Sequence, residues 1–230
     1  MTNALRIARL SGVATLLVGG VMAAAAPAPD LSRYRDFQFG AGLTKIAQQT
    51  GADPAQAKVI HRRPALIQEL DWRPQPLGAS SQPEPVKIVV FSFYGGELFR
   101  VAVEYDRYQT EGMTVGDLVE AISATYGTAL KPGVSSIPPQ NSSDPEEIVA
   151  LWQDSQYRFE LVRYPYGPTF KLVGINKRLD APVQAANLEA KRLDDQEAPE
   201  RDAARLASEA GAAKAKLEKA RLLNKPNFRP

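Results

Sequence analysis

Cysteine is absent from this 230-residue chain, and histidine occurs once, as His61. Without cysteine the chain cannot form disulfides, thiolate metal sites, a thiol nucleophile or the acylated cysteine of a lipoprotein. His61 would be the only imidazole base, and it lies in a strand-like segment directly before Arg62 and Arg63. We therefore interpret His61 as a surface or strand-packing residue.

The sequence also lacks the short motifs of serine hydrolases, zinc proteases and P-loop nucleotide-binding proteins. We predict no catalytic residue, no cofactor and no metal ligand, and expect a protein that is not an enzyme. One alternative stays open, because glycosidase chemistry needs only two carboxylates at a suitable separation. In that alternative, the chain is a periplasmic small-molecule or glycan-binding protein, or a carboxylate-dependent hydrolase, with Asp71 near a cleft between two structural units.

Long hydrophobic runs are confined to the N-terminus. Arg6 and Arg9 precede an apolar run from Leu10 to Met22, and four alanines follow it. The run is shorter than the roughly 20 residues that span a bilayer, and the alanines fit the A-x-A pattern that signal peptidase cleaves. We predict a signal peptide over residues 1–26 and a mature chain in the periplasm or secreted, without a transmembrane segment. The alternative is an uncleaved N-terminal membrane anchor.

The chain carries almost no excess of positive or negative charge. The formal net charge is +2, and removal of the predicted signal peptide would take away two arginines and leave the remainder close to neutral. Proteins that bind nucleic acid present strongly basic surfaces. We therefore predict no nucleic-acid partner.

The rest of the sequence divides into four regions. We predict an α+β protein with two tandem helix-plus-antiparallel-sheet units, over residues 31–110 and 111–180. Residues 181–223 are rich in Ala, Lys, Arg, Glu and Leu and are predicted as a C-terminal helical extension. Residues 224–230 are predicted as a flexible tail.

The clearest local pattern is a β-hairpin around Gly95-Gly96, because both turn positions of such a hairpin require positive φ. Its strands are predicted over Val86 to Tyr94 and Glu97 to Tyr105. A two-residue loop sets a register in which Val90 lies opposite Val101. The predicted core face of the hairpin consists of Val86, Ile88, Val90, Val101, Val103 and Tyr105.

Two amphipathic helices are predicted, each ahead of a group of strands. The first covers Phe37 to Gly51. The second covers Gly112 to Gly127, where Thr114 fits an N-cap and Asp117 lies three residues further on. Besides the hairpin, strands are predicted over Lys58–Arg63, Leu66–Trp72, Glu147–Gln153, Gln156–Tyr164 and Thr169–Lys177.

The two halves follow one plan, a helix followed by about three strands, which indicates either an internal repeat or an accidental likeness. The second helix carries Glu111-Gly112-Met113-Thr114 followed by Leu118, Val119, Ile122, Tyr126 and Gly127. This pattern resembles the helix signature of SmpA/OmlA-type small outer-membrane lipoproteins and of the tandem-repeat β-lactamase inhibitor proteins. The resemblance covers roughly residues 37–178 and implies tandem helix-plus-sheet units and protein binding. The chain departs from these families because it lacks the acylated cysteine of the first and the disulfides of the second.

The C-terminal extension carries an alanine-rich heptad stripe. Pro199 is predicted to interrupt an upstream helix that begins at Pro182. The stripe beyond it occupies a and d positions and consists of Ala203, Leu206, Ala210, Ala213, Leu217 and Ala220. Such a stripe suits a solvated or loosely docked helix, or a helix that binds a partner or pairs with itself. Basic residues beyond Gly211 would suit weak contact with an anionic surface, although they also complement the helix dipole.

The candidate partner-contact residues are therefore Leu206, Ala210, Ala213 and Leu217 of the stripe, together with Tyr164 and Tyr166 of a predicted turn between strands. Tyrosine suits this role because its ring is rigid and amphipathic. We expect a non-catalytic protein that binds an unknown envelope or secreted protein. A purely structural envelope component is the remaining option.

Overall fold

The computed structural model describes residues 29–74, 84–132, 147–164, 169–227 and 229. The predicted signal peptide and Tyr166 lie outside these residues. Among the described residues, no helix combines the length and the hydrophobicity needed to cross a bilayer.

The described chain begins with a short ribbon and then alternates helices with groups of strands. The helices are α1 (Leu43–Thr50), α2 (Val115–Tyr126) and α3 (Lys177–Asn224), with short 3₁₀ turns at Pro54–Gln56 and Lys225–Asn227. The strands are β1 (Arg33–Tyr34), β2 (Phe37–Gln38), β3 (Lys58–His61), β4 (Ile67–Trp72), β5 (Val86–Tyr94), β6 (Glu97–Tyr105), β7 (Glu147–Gln153), β8 (Tyr157–Arg163) and β9 (Phe170–Asn176).

Seven strands form one antiparallel sheet in the order β3-β4-β5-β6-β9-β8-β7. Strands β3 to β6 follow α1 in the chain, and β7 to β9 follow α2. The two groups meet where β6 pairs with β9, with Ala102 opposite Val173. The predicted α+β class, with its antiparallel sheet and long C-terminal helix, is confirmed.

The main hydrophobic core lies between one face of the sheet and a layer made of α1, α2 and residues 31–39. The helices bury Ile46, Ala47, Leu118, Ile122 and Tyr126 in this core. The sheet contributes large side chains from both groups of strands, among them Leu70, Phe91, Phe93, Val101, Trp152, Phe159 and Leu161. The two halves of the described chain thus share one core, because residues of both belong to the same buried cluster.

Helix α1 begins later than the sequence pattern predicted. Phe37 and Phe39 are buried in the core, but they precede the helix and belong to the N-terminal ribbon. Gly40 follows with a φ of 81°, a left-handed conformation that glycine adopts without strain. The helix then starts at Leu43 and ends, as predicted, at Gly51, which has a φ of 70°.

Helix α2 confirms its predicted N-cap. The Thr114 hydroxyl oxygen accepts a hydrogen bond from the Asp117 backbone N–H at 3.2 Å, and the Asp117 carboxylate accepts one from the Thr114 N–H at 2.7 Å. The two residues satisfy each other's backbone donors, as in a capping box. The helix ends at Tyr126, and Gly127 follows it as predicted.

The hairpin of β5 and β6 is confirmed, with Gly95 and Gly96 both at positive φ, but most of its predicted register is wrong. A β-bulge adds Phe99 to β6 as an extra residue without an opposite partner on β5. From the pair Ser92–Arg100 to the pair Ile88–Glu104 the register is shifted by one residue, so that Val90 lies opposite Ala102 instead of Val101.

A second bulge, at Lys87 on β5, restores the original register, and Val86 lies opposite Tyr105 as predicted. Between the two bulges the side chains that face the core alternate differently from the prediction. Val89 and Phe91 point into the main core, whereas Ile88 and Val90 do not belong to it. The reason is that a shift of one residue moves each side chain to the other face of a sheet.

The first part of α3 packs against the other face of the sheet. Leu179, Val183 and Ala186 form a second cluster with Ile67 of β4 and Phe99 of β6. The extra residue of the β6 bulge therefore contributes directly to the surface that holds α3.

Helix α3 does not stop where proline was predicted to interrupt it. It runs over 48 residues and contains both Pro182 and Pro199. Proline removes one backbone hydrogen bond from a helix, and the Arg201 side chain reaches back past Pro199 to donate to the main-chain oxygen of Asp194 at 2.9 Å. The oxygen that Pro199 leaves without a helical donor is that of Asp195, four residues earlier, so the Arg201 contact lies beside the missing bond and does not replace it. The predicted division at Pro199 is therefore wrong as a helix boundary.

Candidate functional site

The predicted stripe residues lie in the part of α3 that extends beyond the sheet, residues 199–224, which we call the distal segment. Every residue of the distal segment is exposed. The exposed fractions of Leu206 and Leu217 are 57% and 72%. Leu222 and Leu223 near its end are exposed as well. Isolated apolar residues on a surface are ordinary. Leu206 and Leu217 occupy d and a positions of the predicted stripe, as in helices that pair, whereas Leu222 and Leu223 lie off the stripe.

The part of α3 before the distal segment is fixed to the sheet. Ala190 is its last buried residue, and Arg63, next to strand β3, binds Glu197 with its Nη2 atom 2.8 Å from both carboxylate oxygens. Every helical residue from Pro199 onward is exposed, starting two residues after Glu197. The body of the protein therefore holds the helix at one end and leaves the distal segment in solvent.

The exposed stripe is not a continuation of the buried stripe. The buried residues Leu179, Val183, Ala186 and Ala190 repeat with steps of four, three and four. Continued along the helix, this spacing reaches Ala204, one residue after the first position of the predicted stripe. One residue corresponds to a rotation of about 100° around a helix. The distal segment thus presents its leucines on a face different from the one that binds the sheet.

Charge is distributed unevenly along the exposed part of α3. Its first half, residues 189–209, carries seven carboxylates against four basic side chains. The carboxylates are Glu189, Asp194, Asp195, Glu197, Glu200, Asp202 and Glu209, and the basic residues are Lys191, Arg192, Arg201 and Arg205. The second half, from residue 214 onward, is mainly basic, with Lys214, Lys216, Lys219, Arg221 and Lys225 against the single carboxylate of Glu218. The basic residues predicted beyond Gly211 therefore lie at the exposed C-terminal end of α3.

Several distal charges are paired within the helix. Arg205 lies 3.3 Å from Asp202 and 3.0 Å from Glu209, and Arg221 lies 2.8 Å from Glu218. Among the residues that the structure describes, Lys214, Lys216 and Lys219 have no ion-pair partner. These exposed intrahelical pairs each contribute only about 0.3–0.5 kcal/mol to the helix.

Tyr164 is not brought together with the stripe residues. It lies at the end of β8, where its backbone N–H donates to the oxygen of Thr169 at 3.1 Å. The ammonium group of Lys171 lies 5.1 Å from the centre of its ring, a cation–π contact. Tyr164 is half-buried, and Tyr166 falls outside the described residues. Of the predicted contact residues, only the four on α3 form one surface.

His61 is half-buried in β3 and, with Ile60 and Arg63, lines a shallow surface depression against α3. Asp71 is exposed on β4, opposite Val90 of β5. The cleft of the alternative prediction would lie between the two groups of strands. Strands β6 and β9 are hydrogen-bonded there, so the two groups of strands form one continuous sheet at this junction.

Sequence reasoning missed the residues that fix α3 to the sheet. It began the helix at Pro182, although Leu179, Val183, Ala186 and Ala190 already show helical spacing. The Asn176 side chain also accepts a hydrogen bond from the Arg178 N–H at 3.1 Å, as an N-cap residue does. Asparagine at the end of an apolar strand was the signal available in the sequence.

Comparisons of the chain with protein-family models, with curated proteins and with solved structures found no match. The resemblance to SmpA/OmlA-type lipoproteins and to tandem-repeat β-lactamase inhibitor proteins therefore stays a prediction.

Proposed function

We propose that this chain is a non-catalytic protein of the cell envelope or the secreted fraction that binds another polypeptide through the distal segment. The observation that carries this proposal is the contrast within α3. Its first part is packed on the sheet and tied to Arg63 by Glu197, whereas every residue from 199 to 224 is exposed. The body then serves as the support of an extended binding helix.

The composition of the distal segment supports this role. Alanine, which is frequent in it, is the strongest helix former, and its Arg–carboxylate pairs add to helix stability without any packing. The segment can thus remain helical in water while its leucines are unburied. Burial of a leucine side chain contributes about 1.5–3 kcal/mol, so a partner helix has an apolar surface to cover.

Site-specific photo-crosslinking in intact cells tests the proposal. A photoreactive amino acid would replace Leu206 or Leu217 on the stripe, and Ser208 or Ala215 in the matched controls. The control positions lie two residues away and face the other side of the helix by about 160°. We expect one defined adduct from each stripe position and none from either control.

The captured polypeptide would then be identified, purified and tested for binding to the intact chain. We expect Leu217→Glu to weaken that binding at least tenfold, because a carboxylate would replace a buried leucine, while Ala215→Glu leaves it unchanged. Equal labelling from both faces, or no labelling from Leu206 and Leu217, would contradict the proposal that the distal segment binds a partner.

Export is part of the proposal and has its own test. Arg6, Arg9, the apolar run and the alanines before Pro27 support it. The N-terminal sequence of the protein recovered from the periplasm or the medium is expected to start close to Pro27. Recovery of the complete chain from the cytosol would contradict export while leaving the binding role open to the crosslinking test.

A further inference from the structure

We infer that the partner of the distal segment is a second copy of this chain, paired antiparallel along the same stripe. This inference rests on the proposed function, because it names the polypeptide that the exposed helix binds. Two properties of the distal segment carry it: the symmetry of the stripe about its own centre and the placement of charges beside it.

The stripe reads the same in both directions. Its six residues in chain order are Ala203, Leu206, Ala210, Ala213, Leu217 and Ala220. When two copies are aligned antiparallel, Ala203 lies opposite Ala220 of the second copy, and Leu206 lies opposite Leu217. At the centre, Ala210 lies opposite Ala213. Every layer pairs an a position with a d position, as antiparallel coiled coils require, and each layer pairs residues of equal size.

The small central residues permit close approach of the helices. Alanine layers let two helix axes approach near the lower end of the usual 8–10 Å range. The leucines that are 57% and 72% exposed would then be covered by each other. The two larger layers flank the centre symmetrically, so that neither end of the pair is left without an apolar contact.

The charges beside the stripe match in the antiparallel arrangement. Glu200 and Arg221 occupy e positions and face each other between the copies, and Glu209 faces Lys216 at g positions. By two-fold symmetry each of these attractive pairs occurs twice. Glu200 and Lys216 have no ion-pair partner among the described residues. They are therefore available for contact with the second copy.

The parallel arrangement matches less well. In parallel coiled coils a g position faces the e position five residues later on the other helix. Glu209 would then face Lys214, which is attractive, but Lys216 would face Arg221, which is repulsive. The antiparallel arrangement also places residues 200–209, which carry three carboxylates and two arginines, opposite residues 214–223, which carry four basic side chains and one carboxylate.

Charge exchange tests the pairing in the protein purified from cells that express the complete chain. Sedimentation velocity at low salt would follow the monomer–dimer equilibrium of Glu209→Lys and Lys216→Glu variants, alone and mixed. Each variant alone places like charges at both g-position contacts, and we expect its dimer to weaken about tenfold. The equimolar mixture restores both attractive contacts, and we expect the heterodimer to regain the affinity of the original chain.

The same variants distinguish the two directions of pairing. In a parallel dimer, Lys216→Glu would replace repulsion from Arg221 by attraction and strengthen the homodimer. A stronger Lys216→Glu homodimer would therefore overturn the antiparallel arrangement. Both positions are fully exposed, so circular dichroism and the thermal midpoint of the body are expected to stay at the values of the original chain.

Disulfide trapping supplies a geometric test, since the chain has no cysteine of its own. Antiparallel pairing places residue 203 beside residue 220 of the second copy, whereas residues 203 of the two copies lie roughly 25 Å apart along the axis. We expect a mixture of Ala203→Cys and Ala220→Cys proteins to form the mixed disulfide. Either variant alone is expected to stay unlinked. Linkage of Ala203→Cys with itself would overturn the inference.

Failure of this inference is separable from failure of the proposed function. A chain that stays monomeric at the highest soluble concentration, yet crosslinks from Leu206 and Leu217 to a different protein, overturns self-pairing and leaves the binding role standing. A monomer that sediments with anionic vesicles through its basic end also overturns self-pairing. A monomer that yields no crosslinked polypeptide contradicts both self-pairing and the proposed binding role.

Discussion

Gly174 of β9 lies directly beneath the ring of Phe159 on the neighbouring strand: a β-carbon built on Gly174 would be 2.5 Å from Cε1 of that ring. The same β-carbon would be 2.9 Å from Cζ of Phe39. Both rings belong to the main core. We expect Gly174→Ala to lower the free energy of unfolding by about 1–3 kcal/mol, because an overpacked core must shift to relieve such contacts.

Urea unfolding monitored by circular dichroism measures this loss. Gly116→Ala is the matched control, since its β-carbon would meet only Thr114 Oγ1, at 3.5 Å, an ordinary contact. Gly116 lies inside α2, and alanine there is expected to leave stability unchanged or raise it by up to about 1 kcal/mol. Equal midpoints for the two variants would refute the close packing of Gly174.

The capping box of α2 is expected to contribute measurably to stability. Thr114→Ala removes the acceptor of the Asp117 N–H and should cost about 1 kcal/mol, within the usual 0.5–2 kcal/mol for an N-cap. Thr44→Ala is the control, because Thr44 is an exposed residue of α1. Chemical denaturation of both variants checks the prediction, which fails if Thr114→Ala is as stable as the control.

Trp152 is the largest fully buried side chain, with 1% of its surface exposed. Its indole N–H donates to the Gly127 oxygen at 3.0 Å and to the Ser123 hydroxyl at 3.2 Å. Trp152→Phe leaves these acceptors without their donor, and we expect a loss of about 1–3 kcal/mol in the free energy of unfolding. Calorimetry or urea unfolding would show this loss.

Trp72→Phe is the comparison for this variant, because Trp72 is only half-buried and contacts the rings of Phe37 and Phe91. We expect its loss to stay below about 1.5 kcal/mol, as in swaps that nearly conserve volume. Fluorescence gives a second readout: emission from Trp152 alone should lie at shorter wavelength than emission from Trp72 alone. The reverse order would place Trp152 in water.

Stability is expected to fall in alkaline solution because of tyrosines packed in the core, of which Tyr34 and Tyr126 are buried and Tyr105 is half-buried. Burial raises the pKa of Tyr105 from 10.0 to about 12, and burial also raises the pKa values of Tyr34 and Tyr126. The unfolded chain therefore releases these protons first, at pH values near 10. The stabilisation is complete below pH 10 and is lost as pH rises towards 12, by up to about 1.4 kcal/mol per pH unit for each tyrosine.

Urea midpoints of the original chain and of Tyr105→Phe, measured from pH 8 to 11, isolate the contribution of one ring. Phenylalanine cannot ionise, so the variant should lose stability less steeply above pH 10 than the original chain. The two slopes should agree below pH 9. Parallel slopes across the whole range would mean that Tyr105 ionises as readily in the folded protein as in the unfolded one.

The sequence predicted α2 and the hairpin turn well because nearby residues decide both. Thr114, Asp117 and Gly127 specify the helix ends through their own backbone contacts, and Gly95-Gly96 allows the turn by conformation alone. The strand register depends instead on packing. The bulge residue Phe99 packs in one cluster with residues of α3, and no local sequence pattern contains that contact.

The candidate site was predicted in part for the same reason. Heptad spacing identifies the stripe from Ala203 to Ala220 because periodicity is a property of the sequence. The continuity of α3 through Pro199 could not be read in this way. The helix continues past the proline, and in the folded chain Arg201 donates to the Asp194 backbone while Glu197 binds Arg63, across 134 positions of the chain. Contacts of that kind emerge only from the folded arrangement.

The unbroken course of α3 sets a length scale. At about 1.5 Å per residue, the centre of the stripe lies roughly 32 Å from Ala190, the last residue seated on the sheet. In an antiparallel dimer centred on the stripe, the paired helices would separate the two sheets. The Ala190 residues of the two copies would then lie some 65 Å apart. The dimer would hold the two sheets at a fixed separation. Inserting one heptad into each helix, between the sheet and the stripe, would increase this separation by about 21 Å.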